Sequence, residues 1–295
     1  MKKTVLFCAS ALAFAAMGCG GNLQVGNQNN NNQQEEEQQQ EFNYDNSEDY
    51  PWVFDEGLKS SEYKVGQTVL SIHSFYENKI KESSDPSEAS YIFYSGKVDA
   101  IDGKFTTIDG NKVPNSVVIP IPEGQTAKKG DIVLTWWQSG SGMQRAIVTD
   151  DSNPKQPKVC YLDLDYSDDG KGFANEHANE QLNPNSFVVL TDGAWEPGQT
   201  VITSDDRNLI LINCNDDLVL CSGFAGKISA YYRQYCKIVP LKKNLQPGDQ
   251  IKADFVGSFK AGATVQKVDE SIGRVWITDS FGSEKVLSIL DVCKD

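Results

Sequence analysis

Histidine is all but missing. His73 and His177 are the only two in 295 residues, too few for a multi-histidine metal site or for ordinary histidine-based proton transfer at several positions. Cations are outnumbered: 27 Lys and Arg stand against 41 Asp and Glu, a net charge of −14. Such a chain repels phosphate backbones and anionic lipid, which excludes a general nucleic-acid binder. No apolar run reaches the roughly 20 residues needed to cross a bilayer as a helix. Nor is there a Gly-x-Ser-x-Gly elbow, a phosphate-binding glycine loop ahead of a helix, a His-Glu-x-x-His pair or a metal-spaced Cys/His cluster. No segment holds a helical period over about 11 residues. What remains is 39% hydrophobic and 10% aromatic, enough to bury a core and too apolar for disorder throughout.

The N-terminus reads as an address. Lys2 and Lys3 form a basic start, Val5 to Met17 is almost wholly apolar, and Ala16-Met17-Gly18-Cys19 follows. This is the anatomy of a secretory signal. The last four residues resemble the lipobox of bacterial lipoproteins. That resemblance implies cleavage after Gly18, leaving 1–18 as the signal peptide, and attachment of diacylglycerol to the Cys19 sulfur. Two or three acyl chains would hold the protein on a bilayer almost permanently, since each buried CH₂ contributes about 0.8 kcal/mol. Gly20 stands where an aspartate would favour the inner membrane, so the resemblance points to the outer membrane, facing the periplasm or the cell surface. Loss of Lys2 and Lys3 takes the net charge to −16.

Residues 19–50 are rich in Gln, Asn and Glu and almost free of apolar side chains. Such a segment cannot offset roughly 1–2 kcal/mol of backbone entropy per residue, and reads as a disordered tether.

A repeat follows. Gly66-Gln67-Thr68-Val69 recurs as Gly130-Asp131-Ile132-Val133, Gly198-Gln199-Thr200-Val201 and Gly248-Asp249-Gln250-Ile251. The pattern is Gly, then Gln or Asp, a free position, then Val or Ile. A second strand opens at Gly96-Lys97-Val98, Gln144–Val148, Gly226-Lys227-Ile228 and Gly262–Val268. A third is Lys104–Ile108, Lys158–Leu164 and Gly273–Thr278, with none clear in unit three. Closing runs are Val117–Ile121, Phe187–Leu190, Ile238–Leu241 and Val286–Leu290. Alternation and β-branched residues mark these as strands, and Asp102-Gly103 and Asp109-Gly110 as hairpin turns.

The order Gly-Asp-x-Val, Ala-Gly-x-Val, a Val-Trp-Ile strand and a short closing run resembles Tudor/Agenet-like SH3 barrels. The expectation is an all-β chain of about four small SH3-like barrels after the tether, at 63–122, 126–191, 195–242 and 245–293. Barrels of about 50 residues are marginal alone, so packing between units is expected.

Candidate sites follow from the same residues. Tudor-like barrels use aromatic cages, and the resemblance points to Trp136, Trp137 and Tyr161 in unit two and to Trp276, with Phe255, Phe259 and Phe281 near it, in unit four. Strand alternation sends Trp136 and Trp137 to opposite faces. The same rings would equally fill cores and unit interfaces. The eukaryotic methyl-lysine ligand is not carried over. Asp165, Ser167, Asp169 and Glu176 stand at positions one, three, five and twelve of a calcium-loop spacing, with Gly170 at six and the Lys171 carbonyl at seven. The other reading is an acidic insertion loop. No other cofactor is implied. Of the five cysteines beyond Cys19, Cys214 and Cys221 are candidates to staple a hairpin, with Cys236 able to replace either, and a buried thiol is the alternative.

The function expected is therefore a non-catalytic binding or adaptor module, held on the lipid bilayer through Cys19, with an unknown protein or glycan partner. A structural spacer in an envelope complex and a hydrolase with an unrecognised carboxylate pair are the rivals.

Overall fold

The computed structural model describes residues 58, 62–74, 76, 89–164 and 179–294. The signal, Cys19, the tether and the Asp165–Glu176 loop lie outside the described residues, and the lipid and calcium expectations lie outside with them. All described residues belong to one compact unit. No helix among them is long and apolar enough to cross a membrane.

Among the described residues, twenty strands form four five-stranded antiparallel sheets, joined in places by short 3₁₀ turns. Unit one contains β1 (Thr68–Ser71), β2 (Tyr94–Asp102), β3 (Phe105–Ile108), β4 (Asn111–Pro114) and β5 (Val118–Pro120). Unit two contains β6 (Ile132–Trp136), β7 (Met143–Asp150), β8 (Lys158–Tyr161), β9 (Asn179–Gln181) and β10 (Val188–Val189). Unit three contains β11 (Thr200–Thr203), β12 (Asn208–Cys214), β13 (Leu218–Ser222), β14 (Ile228–Tyr232) and β15 (Cys236–Ile238). Unit four contains β16 (Gln250–Asp254), β17 (Phe259–Asp269), β18 (Arg274–Thr278), β19 (Glu284–Ser288) and β20 (Val292–Cys293). Every sheet has the order fourth, third, second, first, fifth. The chain meanders through four strands and returns to pair its fifth with its first, which curls each sheet into a small barrel-like unit.

The repeated glycine explains the shared start. Gly66, Gly130, Gly198 and Gly248 all lie at φ between +84° and +94°, where a side chain would be strained. Each donates its N–H to the second strand: Gly66 to the Val98 carbonyl at 2.8 Å, Gly130 to Val148 at 2.9 Å, Gly198 to Leu211 at 2.8 Å and Gly248 to Val265 at 2.8 Å. The next residue accepts in return, Gln67 from Val98 N–H at 3.1 Å and Asp131, Gln199 and Asp249 from their counterparts at 2.9 Å. One residue further along each second strand the ladder shifts, at Asp99, Thr149, Ile212 and Gln266. These are β-bulges at the same point in all four units, where a strand must bend to close a small barrel.

Two assignments made from sequence are corrected. Ala225-Gly226-Lys227-Ile228 does not open the second strand of unit three. It is a 3₁₀ turn leading into β14, the fourth strand, and β12 is the second. Val286–Leu290 is not the closing run of unit four; it spans the end of β19 and a 3₁₀ turn, and β20 closes the sheet. Both sets of residues are apolar and flanked by turns, so local pattern fits either place.

The units share their main core. One cluster draws Val69 and Ile119 from unit one, Leu134 and Leu162 from unit two, Ile212 and Leu220 from unit three, and Val265 and Leu290 from unit four. Units two and three add small private cores around Phe187 and Leu211. Ile212 shows how the bulge serves this arrangement: it is 1% exposed, facing the shared core, whereas Asp99 and Gln266 at the equivalent positions face solvent.

Polar side chains fasten the units where they meet. Asn213 donates to the carbonyls of Leu58 at 3.1 Å and Ser116 at 3.2 Å. Arg274 of unit four donates to the carbonyls of Tyr161 at 2.5 Å and Leu164 at 3.1 Å in unit two. Buried Arg145 grips Asp163 with Nε and Nη2, at 3.0 and 2.6 Å from Oδ1, and reaches Thr200 Oγ1 of unit three at 2.6 Å. Lys243 Nζ donates to the Ile289 carbonyl at 2.5 Å, and burial brings its pKa down to about 8.

Candidate functional site: a tyrosine and lysine groove on units three and four

The aromatic residues singled out from sequence are not gathered in one place. Tyr161 is fully buried in the private core of unit two. Its hydroxyl donates to Glu180 Oε2 at 2.8 Å and accepts from Gln138 N–H at 3.2 Å, and burial raises its pKa. Trp137 packs against that same core and Trp136 against the shared one, the opposite faces that alternation requires. The Trp137 ring lies on Gly140, where a Cβ would fall 2.4 Å from it. Trp276 is half-buried on β18 with Lys267 Nζ 4.2 Å above its ring. It borders a shallow cavity of about 490 Å³ with Glu284 and Lys285.

Two exposed tyrosine rings lie in unit three. Tyr232 ends β14 and Tyr235 lies on the 3₁₀ turn before β15. They are 63% and 58% exposed, with ring centroids 6.4 Å apart and nearly perpendicular. β14 and β15 are the two edge strands of this sheet, so the rings stand at the open seam of the barrel. Together with Tyr231, Thr203, Ser204 and Asp205 they line a cavity of about 400 Å³.

A second cavity, of about 500 Å³, adjoins it and shares Thr203, Ser204, Tyr235 and Cys236 as a common wall. It runs along edge strand β15 to the edge strand of unit four, β20, and is lined by Lys237, Lys252 and Lys294. Asp206 holds Lys252 at 3.0 Å and Asp249 holds Lys294 at 2.9 Å; Lys237 is exposed to solvent. In a strongly acidic chain, three lysines thus line one groove whose other end is aromatic, two of them paired with carboxylates and Lys237 exposed. Sequence reading passed over these residues, although Tyr231-Tyr232-Arg233-Gln234-Tyr235 puts three tyrosines in five positions. Two adjoining tyrosines cannot both face a core from a strand.

The thiols do not staple unit three. Cys160, Cys214, Cys221 and Cys236 are free thiols. Cys214 stands opposite Val219 and Cys221 opposite Leu211, so the two are offset along the ladder instead of facing one another. Burial pushes the Cys221 thiol well up, away from the reactive thiolate.

Two arrangements have the composition of catalytic sites. Ser71 Oγ lies 2.8 Å from His73 Nδ1, and His73 Nε2 lies 3.8 Å from Asp109 Oδ2. Ser71 has no exposed surface, and even a Cβ at Gly96 would meet His73 at 2.9 Å and Asp109 at 2.7 Å. Burial closes the serine off from solvent and lowers the His73 pKa, which favours the neutral imidazole. Asn208 Nδ2 donates to Asp254 Oδ1 at 3.1 Å and Asp291 Oδ1 at 3.2 Å. Burial raises both carboxyls, Asp291 to about 6 with Arg145 opposing the rise. This pair sits at the junction of units three and four and lines neither cavity of the groove. Its neighbours make it a fastening. Among the described residues no group of three or more His, Cys, Asp or Glu side chains is placed to hold a metal ion.

The chain matches no known protein-family model and no curated protein sequence.

Proposed function

We propose that this chain is an envelope lipoprotein whose barrels form a non-catalytic binding module. The observation that carries the reading is the groove on units three and four, where exposed tyrosines adjoin a lysine-lined cleft. Rings that only filled cores and interfaces would suit a spacer. Tyr232 and Tyr235 instead stand in solvent at a barrel seam, and exposed, clustered tyrosines are the usual anchors of binding surfaces. The groove suits an extended ligand with a flat or methyl-rich group for the rings and a carboxylate for the lysines. The address rests on the leader, whose lipobox-like sequence ending in Cys19 supports an envelope position on the outer membrane.

Two outcomes are expected. Cys19→Ala should move the protein from the membrane pellet to the soluble fraction of lysed cells; retention in the pellet defeats the anchor. With that soluble chain, calorimetric titration of soluble muropeptides and of an acidic, proline-containing peptide should show binding by one of them. Tyr235→Ser combined with Lys237→Glu should weaken it about thirtyfold or more at an unchanged melting temperature. Binding that ignores both substitutions, or no binding by either probe, returns the molecule to the spacer reading.

A further inference from the structure

A second exposed apolar surface lies on loop tips of units three and four. Phe255 and Val256 lead the β16–β17 hairpin, Phe281 tips the β18–β19 hairpin, and Phe224 lies in the turn between β13 and β14. Their exposures run from 47% at Phe255 to 81% at Phe281. They are contiguous: the Phe255 and Phe281 centroids are 6.4 Å apart, and a Cβ at Gly257 would fall 2.6 Å from Phe224 Cβ. Backbone bonds fix the β16–β17 tip to the turn between β11 and β12, with Asn208 N–H donating to the Gly257 carbonyl at 2.9 Å and Phe259 N–H to the Asp206 carbonyl at 2.7 Å.

Val256 is the telling residue. Phe255 and Ser258 exchange both backbone hydrogen bonds, at 2.8 and 3.3 Å, around a two-residue turn with φ of +53° at Val256 and +77° at Gly257. That geometry asks for Asn-Gly or Asp-Gly. A β-branched residue there is a backbone outlier, and at 59% exposure it gains little packing in return. The fold has no use for valine at this position. A surface that needs an apolar tip does.

We infer that Phe224, Phe255, Val256 and Phe281 are a membrane-contact patch that dips into the interface of a zwitterionic bilayer. The reading goes beyond the groove and does not depend on it. The patch is built of loop tips, which suits insertion among acyl chains. It is also small. A stable protein interface takes about 800 Å² and some 20–30 residues a side, whereas four side chains make a reversible interfacial contact of the kind that reinforces a lipid anchor. The net charge of −14 sets the lipid preference, since anionic headgroups repel such a chain.

The test uses the full chain carrying Cys19→Ala, so that no acyl chain contributes. Flotation with phosphatidylcholine–phosphatidylethanolamine vesicles at millimolar lipid should carry a measurable fraction upward, less when phosphatidylglycerol is added. Val256→Asn should cut that fraction about fivefold or more when combined with Phe281→Ser. Val256→Asn alone should raise the melting temperature by about 2–4 °C, because asparagine suits the turn. The rise shows that a loss of flotation is not a loss of fold. No flotation of the parent chain, or flotation that both substitutions leave unchanged, overturns the inference. Concentration-dependent self-association that Val256→Asn abolishes would assign the patch to a second copy of the chain and overturn it as well.

Discussion

Replacing Arg145 with methionine should lower the melting temperature by about 10 °C, among the largest losses any single change in this chain produces. Arg145 is 3% exposed and lies where units two and three meet. Its guanidinium holds Asp163 through Nε and Nη2, Asp163 Oδ2 also accepts the Arg145 backbone N–H at 2.6 Å, and Nη1 reaches Thr200. Removing the cation leaves the Asp163 carboxylate, only 18% exposed, without its partner. Stranding one member of a buried pair costs about 3–5 kcal/mol, and each kcal/mol moves the midpoint of a domain of this size by about 2–4 °C. The double variant Arg145→Met, Asp163→Leu should recover most of the loss, because two apolar side chains of similar volume have no charge to desolvate. Calorimetry of the parent, the two single variants and the double variant decides it. A single variant melting within about 2 °C of the parent, or a double variant worse than either single, would mean that the pair does not fasten the units.

Much of this architecture was legible in the sequence, and the reasons separate cleanly. Gly66, Gly130, Gly198 and Gly248 announce the units because a positive φ before a strand leaves glycine almost no competitor. Asp109-Gly110 announces a hairpin for the same reason, with φ of +47° and +79°. Ala225-Gly226 misleads because its neighbourhood matches Ser95-Gly96, yet the two glycines do different things. Gly96 sits inside β2, where a Cβ would meet Ile108 at 2.5 Å, and Gly226 sits in a turn at φ +74°. Gly96 asks only for lack of a side chain, Gly226 for that and for backbone freedom as well, and a sequence shows only the letter. The groove was harder still. Tyr232, Tyr235, Lys237, Lys252 and Lys294 come from different strands of two units, and only the packing of those units brings them together. Resemblance drew the eye to Trp136, Trp137 and Tyr161, which the sheet order turns onto cores.

The same Gly226 carries the second large effect. Gly226→Ala should destabilise the chain by about 2–5 kcal/mol, the sum of a left-handed residue and an overpacked contact. A Cβ there would fall 2.2 Å from the Tyr91 carbonyl oxygen. That neighbour is backbone, pinned by the Tyr91 N–H donating to the Gly226 carbonyl at 3.0 Å and by its own side chain at 3% exposure. Neither side has a flexible end to yield. Two residues on, the Phe93 carbonyl accepts from Met143 N–H at 2.8 Å, so the strain is passed from unit three through the lead-in of β2 to unit two. Gly66→Ala is the control: φ there is +84° but nothing lies within 4 Å, so only the conformational cost of about 1–2 kcal/mol applies. Hydrogen exchange should report the difference in place, with the Tyr91 amide losing protection in Gly226→Ala and keeping it in Gly66→Ala. Equal destabilisation by the two substitutions would show that the close approach of the Tyr91 carbonyl contributes nothing. A larger loss at Gly226 would establish that unit one is held to unit three by a contact no side chain can enter.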